Sequence, residues 1–264
     1  MTADFNAPGL TPAQIDAFVA DGFVRIDNAF PRELAEQAAA ILWRDARVDP
    51  GDPGSWRAPV IRLGQYGQRV FREAANTPML DAAYDQLVGH GRWLPPRALG
   101  TFVLRFPLPE PPGDDGWHID VSFGTEAPDF LDWRANVVSR GRALLMLFLF
   151  TDVGEDDAPT RIRAGSHLDI ARQLSPAGEA GLTLRELAAG GFAGSAHRRE
   201  ALVTGAAGTV YLCHPFLVHA AQPHRGTHPR ILAQPPLLPA VPLDPWRADA
   251  APVEAAIRGA IKTG

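Results

Sequence analysis

The stretch ALLMLFLF, residues 143–150, is apolar at every position. A run of this length is far too short to cross a membrane, whereas a strand covered on both faces reads as a continuous apolar run. The stretch therefore predicts a strand that is buried on both faces. The sequence on either side also contains short apolar runs.

Short apolar runs separated by turn signals lie on either side of this strand, from about residue 94 onward. The further predicted strands are ALGTFVLRFPL (98–108), GWHIDVSF (116–123), PTRIRAG (159–165), REALVTG (199–205), GTVYLCHPFLVHAA (208–221) and PRILAQPPLL (229–238). Most of them follow one another without a helix between. This density of short strands favours an antiparallel sandwich or jelly roll.

The first third of the chain has a helical pattern instead. In LTPAQIDAFVADG, Thr11 is a plausible N-cap, Pro12 takes the first helical position and Gly22 ends the helix. A strand at 23–30 and helices over 31–46 and about 76–89 follow, and 167–192 is partly helical. We expect a single domain over 1–264, with a helical flank of about 1–93, a core of about 94–240 and a tail at 241–264.

The charge balance argues against a nucleic-acid or membrane partner. The chain has 25 basic and 30 acidic residues, so its net charge of −5 provides no basic field. Cys213 is the only cysteine, and no signal peptide is visible at the N-terminus. We therefore expect a soluble, cytoplasmic protein that acts on a small molecule.

Three residues predict a metal site. If GWHIDVSF is a strand, His118 and Asp120 share one face, because successive side chains alternate. His219 lies in the apolar run FLVHAA, where an unpaired imidazole is costly to bury. Two histidines and one carboxylate form the facial set that binds non-heme Fe(II) and leaves about three positions open for oxygen chemistry.

Arg230 lies at the start of the last predicted strand, eleven residues after His219, and its charge limits the surroundings it can have. A guanidinium that faces a barrel interior keeps its charge and needs an anionic partner. The carboxylate of a bound cosubstrate would be such a partner. A surface position or a structural ion pair is the alternative.

Four segments, in this order, resemble the phytanoyl-CoA dioxygenase family of Fe(II)- and 2-oxoglutarate-dependent oxygenases. They are LTPAQIDAFVADGFVRIDNAFPRE (10–33), WHID (117–120), FLFTDVGEDDAPTRIRAGSH (148–167) and HAAQPHRGTHPR (219–230). The resemblance implies a mainly β protein with flanking helices, built on a double-stranded β-helix (a cupin-like jelly roll). It also implies Fe(II) held by His118, Asp120 and His219, 2-oxoglutarate bound at Arg230, and O2 as the second cosubstrate.

The resemblance extends to further positions. Arg105 and Thr160 are additional candidates for cosubstrate binding, although Arg105 fits a salt bridge at a strand end equally well. Ala158 stands where glycine is common in the family. Halogenating relatives replace the metal-binding carboxylate by a small residue, and Asp120 is present here. The pattern therefore favours hydroxylation over halogenation.

The predicted function is hydroxylation of a small metabolite, with release of succinate and CO2. Two alternatives remain open: a non-catalytic metal- or small-molecule-binding module on the same barrel, and a metal-dependent enzyme that does not use 2-oxoglutarate. The segment 125–142 follows the metal motif, so Phe130, Trp133 and Arg134 are candidates for a lid over the substrate. Ordinary packing is the alternative for these three residues.

Overall fold

The computed structural model describes residues 9–262. Two parts of the sequence lie outside the described residues. They are residues 1–8, which form most of the N-terminal segment in which no signal peptide is visible, and residues 263–264, the last two of the predicted tail. The described helices are α1 (Pro12–Asp21), α2 (Arg32–Ala46), α3 (Arg69–Ala75), α4 (Pro78–Val88), α5 (Ser166–Leu174), α6 (Leu184–Ala188) and α7 (Pro252–Lys262). None of these helices is long and apolar enough to cross a membrane.

The described strands are short, and every pairing between them is antiparallel. They are β1 (Phe23–Ile26), β2 (Val60–Leu63), β3 (Trp93–Leu94), β4 (Phe102–Arg105), β5 (Arg134–Ala135), β6 (Leu144–Leu149), β7 (Arg161–Arg163), β8 (Leu182–Thr183), β9 (Glu200–Leu202), β10 (Val210–Cys213), β11 (His219–Ala220), β12 (Arg230–Ala233) and β13 (Pro236–Pro239).

Eight strands form one large sheet, in the order β1-β10-β6-β12-β4-β2, with β13 pairing to β6 and β3. One side of β6 pairs with β10, and the other side is shared by β12 and β13. A three-stranded sheet, β11-β7-β9, and a two-stranded sheet, β5-β8, complete the β-structure. The apolar run that predicted a buried strand therefore lies at the centre of the large sheet.

Strand β6 is buried on both faces, as predicted. Its odd-numbered residues enter a core between the eight- and three-stranded sheets, together with Ile162 of β7 and Leu217. Its even-numbered residues enter a second core with the helical flank, in which Phe18 and Phe71 are fully buried. The described chain is thus mainly β with flanking helices, and two antiparallel sheets face each other across the inner core.

Helix α1 begins and ends as the sequence predicts. The Thr11 hydroxyl accepts a hydrogen bond from the backbone N–H of Gln14, whose side chain accepts one from the backbone N–H of Thr11. This capping box satisfies two N–H groups that have no partner within the helix. Gly22 ends the helix at φ 83°, and a Cβ there would lie 2.4 Å from Nδ1 of His167. Glycine is required at this position.

Two predicted strands differ in the structure. GWHIDVSF is not a regular strand, since only His118 and Phe123 form isolated bridges. PRILAQPPLL is divided into β12 and β13 at Gln234 and Pro235, because proline has no N–H to donate to a sheet. The short elements β2 and α3 were not predicted, and β2 brings part of the helical flank into the large sheet.

The segment 241–264, predicted as a tail, contains helix α7. Its small and apolar residues, Val253, Ala256, Ile257 and Ala260, are buried at the spacing of one helical face. The helix packs against α1, α4 and α5. The C-terminal segment is therefore part of the folded structure, on the helical side of the large sheet.

A fully buried carboxylate fixes the start of α7. Glu254 pairs with Arg92 at 2.7 Å and accepts hydrogen bonds from the backbone N–H groups of Asp244 (2.6 Å) and Ala251 (2.9 Å). Burial alone would raise the pKa of Glu254, but Arg92 and these N–H groups lower it below its ordinary value. The carboxylate is therefore ionised in the folded protein at neutral pH.

We expect Glu254→Gln to lower the free energy of unfolding at pH 7 by about 3–5 kcal/mol, because it leaves the Arg92 guanidinium without its buried counter-charge. The folded-state pKa lies below the unfolded-state value, so this stabilisation is complete above about pH 4.5 and is lost as the pH falls through the folded-state pKa. Urea unfolding at pH 7 and at pH 3.5 measures both effects. The exposed Glu36→Gln serves as control, and equal stability of the two variants at pH 7 would contradict the assignment.

Candidate metal centre and cosubstrate site

Backbone hydrogen bonds hold the segment GWHIDVSF at both ends. His118 and His219 exchange N–H to carbonyl hydrogen bonds of 2.9 Å in both directions. Further along, Ser122 and Phe123 donate to the carbonyl of Arg134 at 2.8 and 3.1 Å, and Arg134 donates back to Phe123 at 2.8 Å. The irregular segment is thereby attached to β11 at one end and to β5 at the other.

The residues between the polar ones of this segment make packing contacts. The Trp117 ring lies against the guanidinium groups of Arg161 and Arg163, with 4.7 and 4.1 Å from each central carbon to the ring centroid. Such cation–π contacts are favourable where the cation is partly desolvated. Ile119 is fully buried in the core that also holds the helical flank. These contacts leave His118 and Asp120 free of packing roles.

His118, Asp120 and His219 come together in the structure, and their ligand atoms all lie within 4.8 Å of one another. Nδ1 of each imidazole hydrogen-bonds the carbonyl two residues earlier, Gly116 and Leu217, at 2.9 Å. A carbonyl only accepts, so Nδ1 carries the proton and Nε2 keeps a lone pair. Nε2 of His219 is buried without a hydrogen-bond partner among residues 9–262, and a metal ion fits that requirement.

Both oxygens of the Asp120 carboxylate have charged or titratable neighbours. Oδ1 faces Nε2 of His219 at 3.9 Å, and Oδ2 faces Nη1 of Arg142 at 3.2 Å. Burial alone would raise the pKa of Asp120, but Arg142 and the two imidazoles lower it. Burial, reinforced by His118, lowers the pKa of His219 to about 4. At neutral pH the set is an ionised carboxylate and a neutral His219, the forms that bind metal.

Arg230 and Arg105 are brought together as direct partners on β12 and β4. Both are buried, and Asp114 contacts Arg105 at 2.8 Å. Within residues 9–262, Nε of Arg230 and both Nε and Nη1 of Arg105 are buried without a hydrogen-bond partner. Burial and the neighbouring Arg105 lower the pKa of Arg230 to about 9, so the group stays cationic at neutral pH. Asp114 and Asp157 are the nearby carboxylates, yet these three donor groups of the two adjacent cations still lack an acceptor, which favours an anionic ligand.

Both groups face the core between the two sheets. His219 is the register partner of inward-facing Ile162, and directly opposite residues of an antiparallel pair share a face. Arg230 lies two residues before Leu232, which is in the same core. Thr160 is buried directly before β7, two residues from Ile162. The arrangement places the predicted cosubstrate residues on strands that flank the core beside the triad.

Ala158 adopts a left-handed conformation at φ 51°. Its carbonyl accepts a hydrogen bond of 2.7 Å from Nη1 of Arg230, and its side chain is buried. Only glycine adopts this conformation without a steric penalty from Cβ. The departure from glycine noted in the sequence therefore costs stability at a turn that holds Arg230.

Side-chain contacts hold the segment 125–142 in place. Arg134 donates to the carbonyls of Ala180 (2.8 Å) and Gly181 (2.9 Å), so its guanidinium is engaged in holding the chain near β8. Phe130 and Trp133 pack edge to face with centroids 5.1 Å apart. Phe130 is 49% exposed and Trp133 is half-buried, so Phe130 is the more open of the two rings.

The remaining buried histidines make structural contacts. The rings of His167 and His214 are in tilted contact with centroids 4.8 Å apart, and their Nε2 atoms hydrogen-bond the carbonyls of Val19 in α1 and Val253 in α7. His214 lies five residues before His219, and its hydrogen bond to the Val253 carbonyl gives it a structural role. The pair joins the helical flank to the loop that leads to β11.

Sequence reasoning missed two charged residues at the site, Arg142 and Asp114. Asp114 lies in a loop rich in proline and glycine, and it contacts both Arg62 and Arg105. Arg142 precedes the central strand and contacts Asp120. Neither residue belongs to a recurring motif. The only available signal was the position of Arg142, because an arginine directly before a fully apolar strand is expected to pair with an anionic group.

A family model described as phytanoyl-CoA dioxygenase (PhyH) matches residues 18–232, which is most of the chain. The chain belongs to this family. The match spans the triad, Arg105 and Arg230, so the family assignment and the geometry of the site refer to the same residues. The family predicted from the sequence is confirmed.

Three solved structures illustrate the shared fold. HygX from Streptomyces hygroscopicus, with nickel and 2-oxoglutarate bound, is 21% identical with a TM-score of 0.55, covering 92% of each chain. EctD from S. alaskensis, with 2-oxoglutarate and 5-hydroxyectoine, is 20% identical with a TM-score of 0.55, covering 89% of this chain and 77% of that one. SnoN, an α-ketoglutarate-dependent epimerase from nogalamycin biosynthesis, is 17% identical with a TM-score of 0.51, covering 84% and 79%. The predicted fold class is thereby confirmed for this PhyH-family chain.

A curated sequence relative is the probable ketoamine kinase TTHA1179 of Thermus thermophilus. It is 32% identical over 105 residues, which is 39% of this chain and 38% of that protein. The chain therefore spans well under half the length of that relative. A match over so small a part of both chains gives no information about the activity of this protein.

We expect His219→Ala to weaken binding of Mn(II) or Co(II) by more than about 100-fold, since loss of an outer-shell partner alone costs about 10–100-fold. Anaerobic isothermal titration of the metal-free protein measures the change. His228→Ala is the matched control, because the His228 side chain is exposed and bonds that of its neighbour Thr227. Unchanged metal affinity in the His219 variant would exclude this imidazole as a ligand.

Ala158→Gly is expected to raise the free energy of unfolding by about 0.5–1 kcal/mol, because it removes the Cβ penalty of the left-handed conformation. Ala164→Gly, in the same segment but without a positive φ, should lower it by a similar amount. Urea unfolding of the two variants measures the difference. A destabilised Ala158 variant would show that the turn tolerates alanine without strain.

Proposed function

We propose that this protein is an Fe(II)- and 2-oxoglutarate-dependent dioxygenase that hydroxylates a small-molecule metabolite and releases succinate and CO2. The observation that carries the proposal is the pairing of two features on one core. The first is a His-Asp-His set with a free, buried Nε2 at His219, and the second is a pair of buried arginines with three donor groups that have no acceptor among the described residues. When bound, the iron and 2-oxoglutarate supply oxygen activation coupled to oxidative decarboxylation.

The protein's own residues would bind and orient these groups. His118, Asp120 and His219 would hold the metal on one side and leave its other positions open. Arg230 would bind the far carboxylate of 2-oxoglutarate, with Arg105 adding a second positive charge at its side. Thr160, buried directly before β7, would contribute its hydroxyl. Burial of these arginines excludes water, which strengthens the ion pairs they form.

Hydroxylation is the outcome proposed here for two reasons. Asp120 is present, so the metal has no vacated ligand position for chloride, and halogenation is disfavoured. EctD was crystallised with 5-hydroxyectoine, a hydroxylated compound. SnoN, on the same fold, is an epimerase, so the fold alone does not choose the outcome. The family name is likewise not evidence that phytanoyl-CoA is the substrate.

The substrate would enter beside the segment 125–142. Phe130 and Trp133 would contact it through their rings, and Arg134 would act by holding this segment against the loop before β8. A small soluble metabolite matches a site of this kind, in a single-domain protein of the cytoplasm without a nucleic-acid or membrane partner. The net charge of −5 supports the absence of a nucleic-acid partner.

The test is an anaerobic titration of metal-free protein with Fe(II) and then 2-oxoglutarate, followed by the weak visible charge-transfer band of the chelate. Arg230→Met should weaken 2-oxoglutarate binding by at least about tenfold, because a charge-assisted hydrogen bond contributes about 1.5–3 kcal/mol. Arg199→Met is the matched control, since the Arg199 side chain is exposed and its ion pair with Asp21 spans 3.5 Å.

Admission of O2 to the same samples should produce succinate from 2-oxoglutarate, slowly without substrate and faster when a candidate metabolite is hydroxylated. Iron binding without the band would exclude 2-oxoglutarate and favour a metal-dependent enzyme of another kind. A band without succinate under any condition would favour a non-catalytic binding module.

A further inference from the structure

Arg142 lies beside the triad, and the function proposed above does not use it. Its Nη1 is 3.2 Å from Oδ2 of Asp120, while Oδ1 faces Nε2 of His219 at 3.9 Å. The contact with Asp120 is an ion pair without hydrogen-bond geometry, and Nε and Nη1 of Arg142 are buried without a hydrogen-bond partner among residues 9–262. One oxygen of the Asp120 carboxylate therefore faces the triad, and the other faces the Arg142 guanidinium.

The backbone around Arg142 is held in place by a tight turn. Arg142 donates its N–H to the carbonyl of Ser139 at 3.2 Å, and the Ser139 hydroxyl donates to the carbonyl of Arg142 at 2.6 Å. Gly141 adopts φ 93°, and a Cβ there would lie 2.4 Å from the carbonyl oxygen of Ser122. The turn thus packs directly against the segment that carries Asp120, which fixes the approach of the arginine.

The three triad residues are oriented by different partners. His118 and His219 bond main-chain carbonyls through Nδ1, so the backbone itself sets their rings. No hydrogen bond to the Asp120 side chain occurs among the described residues, and Arg142 is its ion-pair partner apart from the His219 contact. The orientation of this carboxylate therefore depends on a side chain from another part of the chain.

We propose that Arg142 is a positioning residue that holds Oδ2 of Asp120 away from the metal, so that the carboxylate binds through one oxygen. Carboxylates bind metals through one or both oxygens. Without the guanidinium, both oxygens can bind, and one of the positions needed by the cosubstrate is filled. The inference rests on the proposed function, because it assumes that the triad holds a metal and that 2-oxoglutarate chelates it.

This role predicts opposite effects on the two binding steps in Arg142→Met. Metal affinity should stay equal or increase, because a cation near the bound dication is removed and the carboxylate can use both oxygens. The affinity for 2-oxoglutarate should fall by about tenfold, because a coordination position and a nearby positive charge are both lost. A general loss of stability would weaken both steps together.

The experiment uses the full chain loaded with Mn(II), without oxygen turnover. Water-proton NMR relaxation measures the metal-bound waters before and after 2-oxoglutarate is added, and the same titration gives both affinities. Arg142→Met should lose about one of the three open positions expected of a facial triad. Arg142→Lys keeps the charge and should recover most of the 2-oxoglutarate affinity.

Arg92→Met is the matched control. It breaks the ion pair with buried Glu254, so it lowers stability without a contact to the triad. Its metal-bound waters and 2-oxoglutarate affinity should equal those of the unsubstituted protein. If the methionine variant of Arg142 does not fold, Arg142→Gln, which removes the charge and keeps a polar group, takes its place in the same comparison.

The outcomes are distinguishable. If the unsubstituted protein binds no metal or no 2-oxoglutarate, the proposed function fails, whatever the variants do. If it binds both and the uncharged Arg142 variant keeps the same metal-bound waters and the same 2-oxoglutarate affinity, only the positioning role is overturned. A lysine variant that binds 2-oxoglutarate no better than the uncharged one also overturns it, since the ion pair would then be irrelevant.

Discussion

The reciprocal backbone hydrogen bonds between His118 and His219 are the constraint on which the site depends. The segment that carries His118 and Asp120 is not a regular strand, so no ladder fixes its register. The two 2.9 Å bonds supply that register and attach the segment to β11, whose other neighbour is β7. Because the main chain is fixed there, Nδ1 of each histidine lies within hydrogen-bond distance of the carbonyl two residues earlier in the chain. The imidazoles are thereby oriented before any metal binds.

The buried arginines of this chain differ in how their charge is satisfied. A guanidinium cannot lose its proton when buried, so each one needs acceptors. Arg92 has Glu254, an ion pair that the protein supplies itself. Arg230 and Arg105 lie side by side with Asp114 and Asp157 as the nearby carboxylates, and several of their N–H groups have no partner among the described residues. Arg92 also leaves one buried donor, Nη1, without a partner among the described residues, but Arg105 and Arg230 leave three on two adjacent cations. This larger deficit is the physical reason for assigning an anionic ligand there.

Local patterns allowed most of the fold and the triad to be predicted from the sequence. The apolar run at β6, the Thr11 cap and the Gly22 stop depend on neighbouring residues, and all were correct. Helix α7 was missed although Val253, Ala256, Ile257 and Ala260 recur at helical spacing, because the proline- and aspartate-rich residues 241–252 before it are typical of an irregular tail. Two imidazoles and a carboxylate are chemically restricted to few roles, which made the triad predictable. The contact between Arg142 and Asp120 was not, because it arises from packing between distant segments.

The charges around the site can be compared with those of the whole chain. Overall the chain carries a net charge of −5, so it repels dianions at a distance. Locally, Arg62, Arg105, Arg142 and Arg230 lie near three carboxylates, those of Asp114, Asp120 and Asp157. Four positive charges against three negative ones leave one excess positive charge before a metal binds. A divalent metal raises that excess to three, and a dianion such as 2-oxoglutarate lowers it to one. Cosubstrate affinity must therefore arise from short-range contacts in the core, where burial strengthens each ion pair, rather than from long-range attraction.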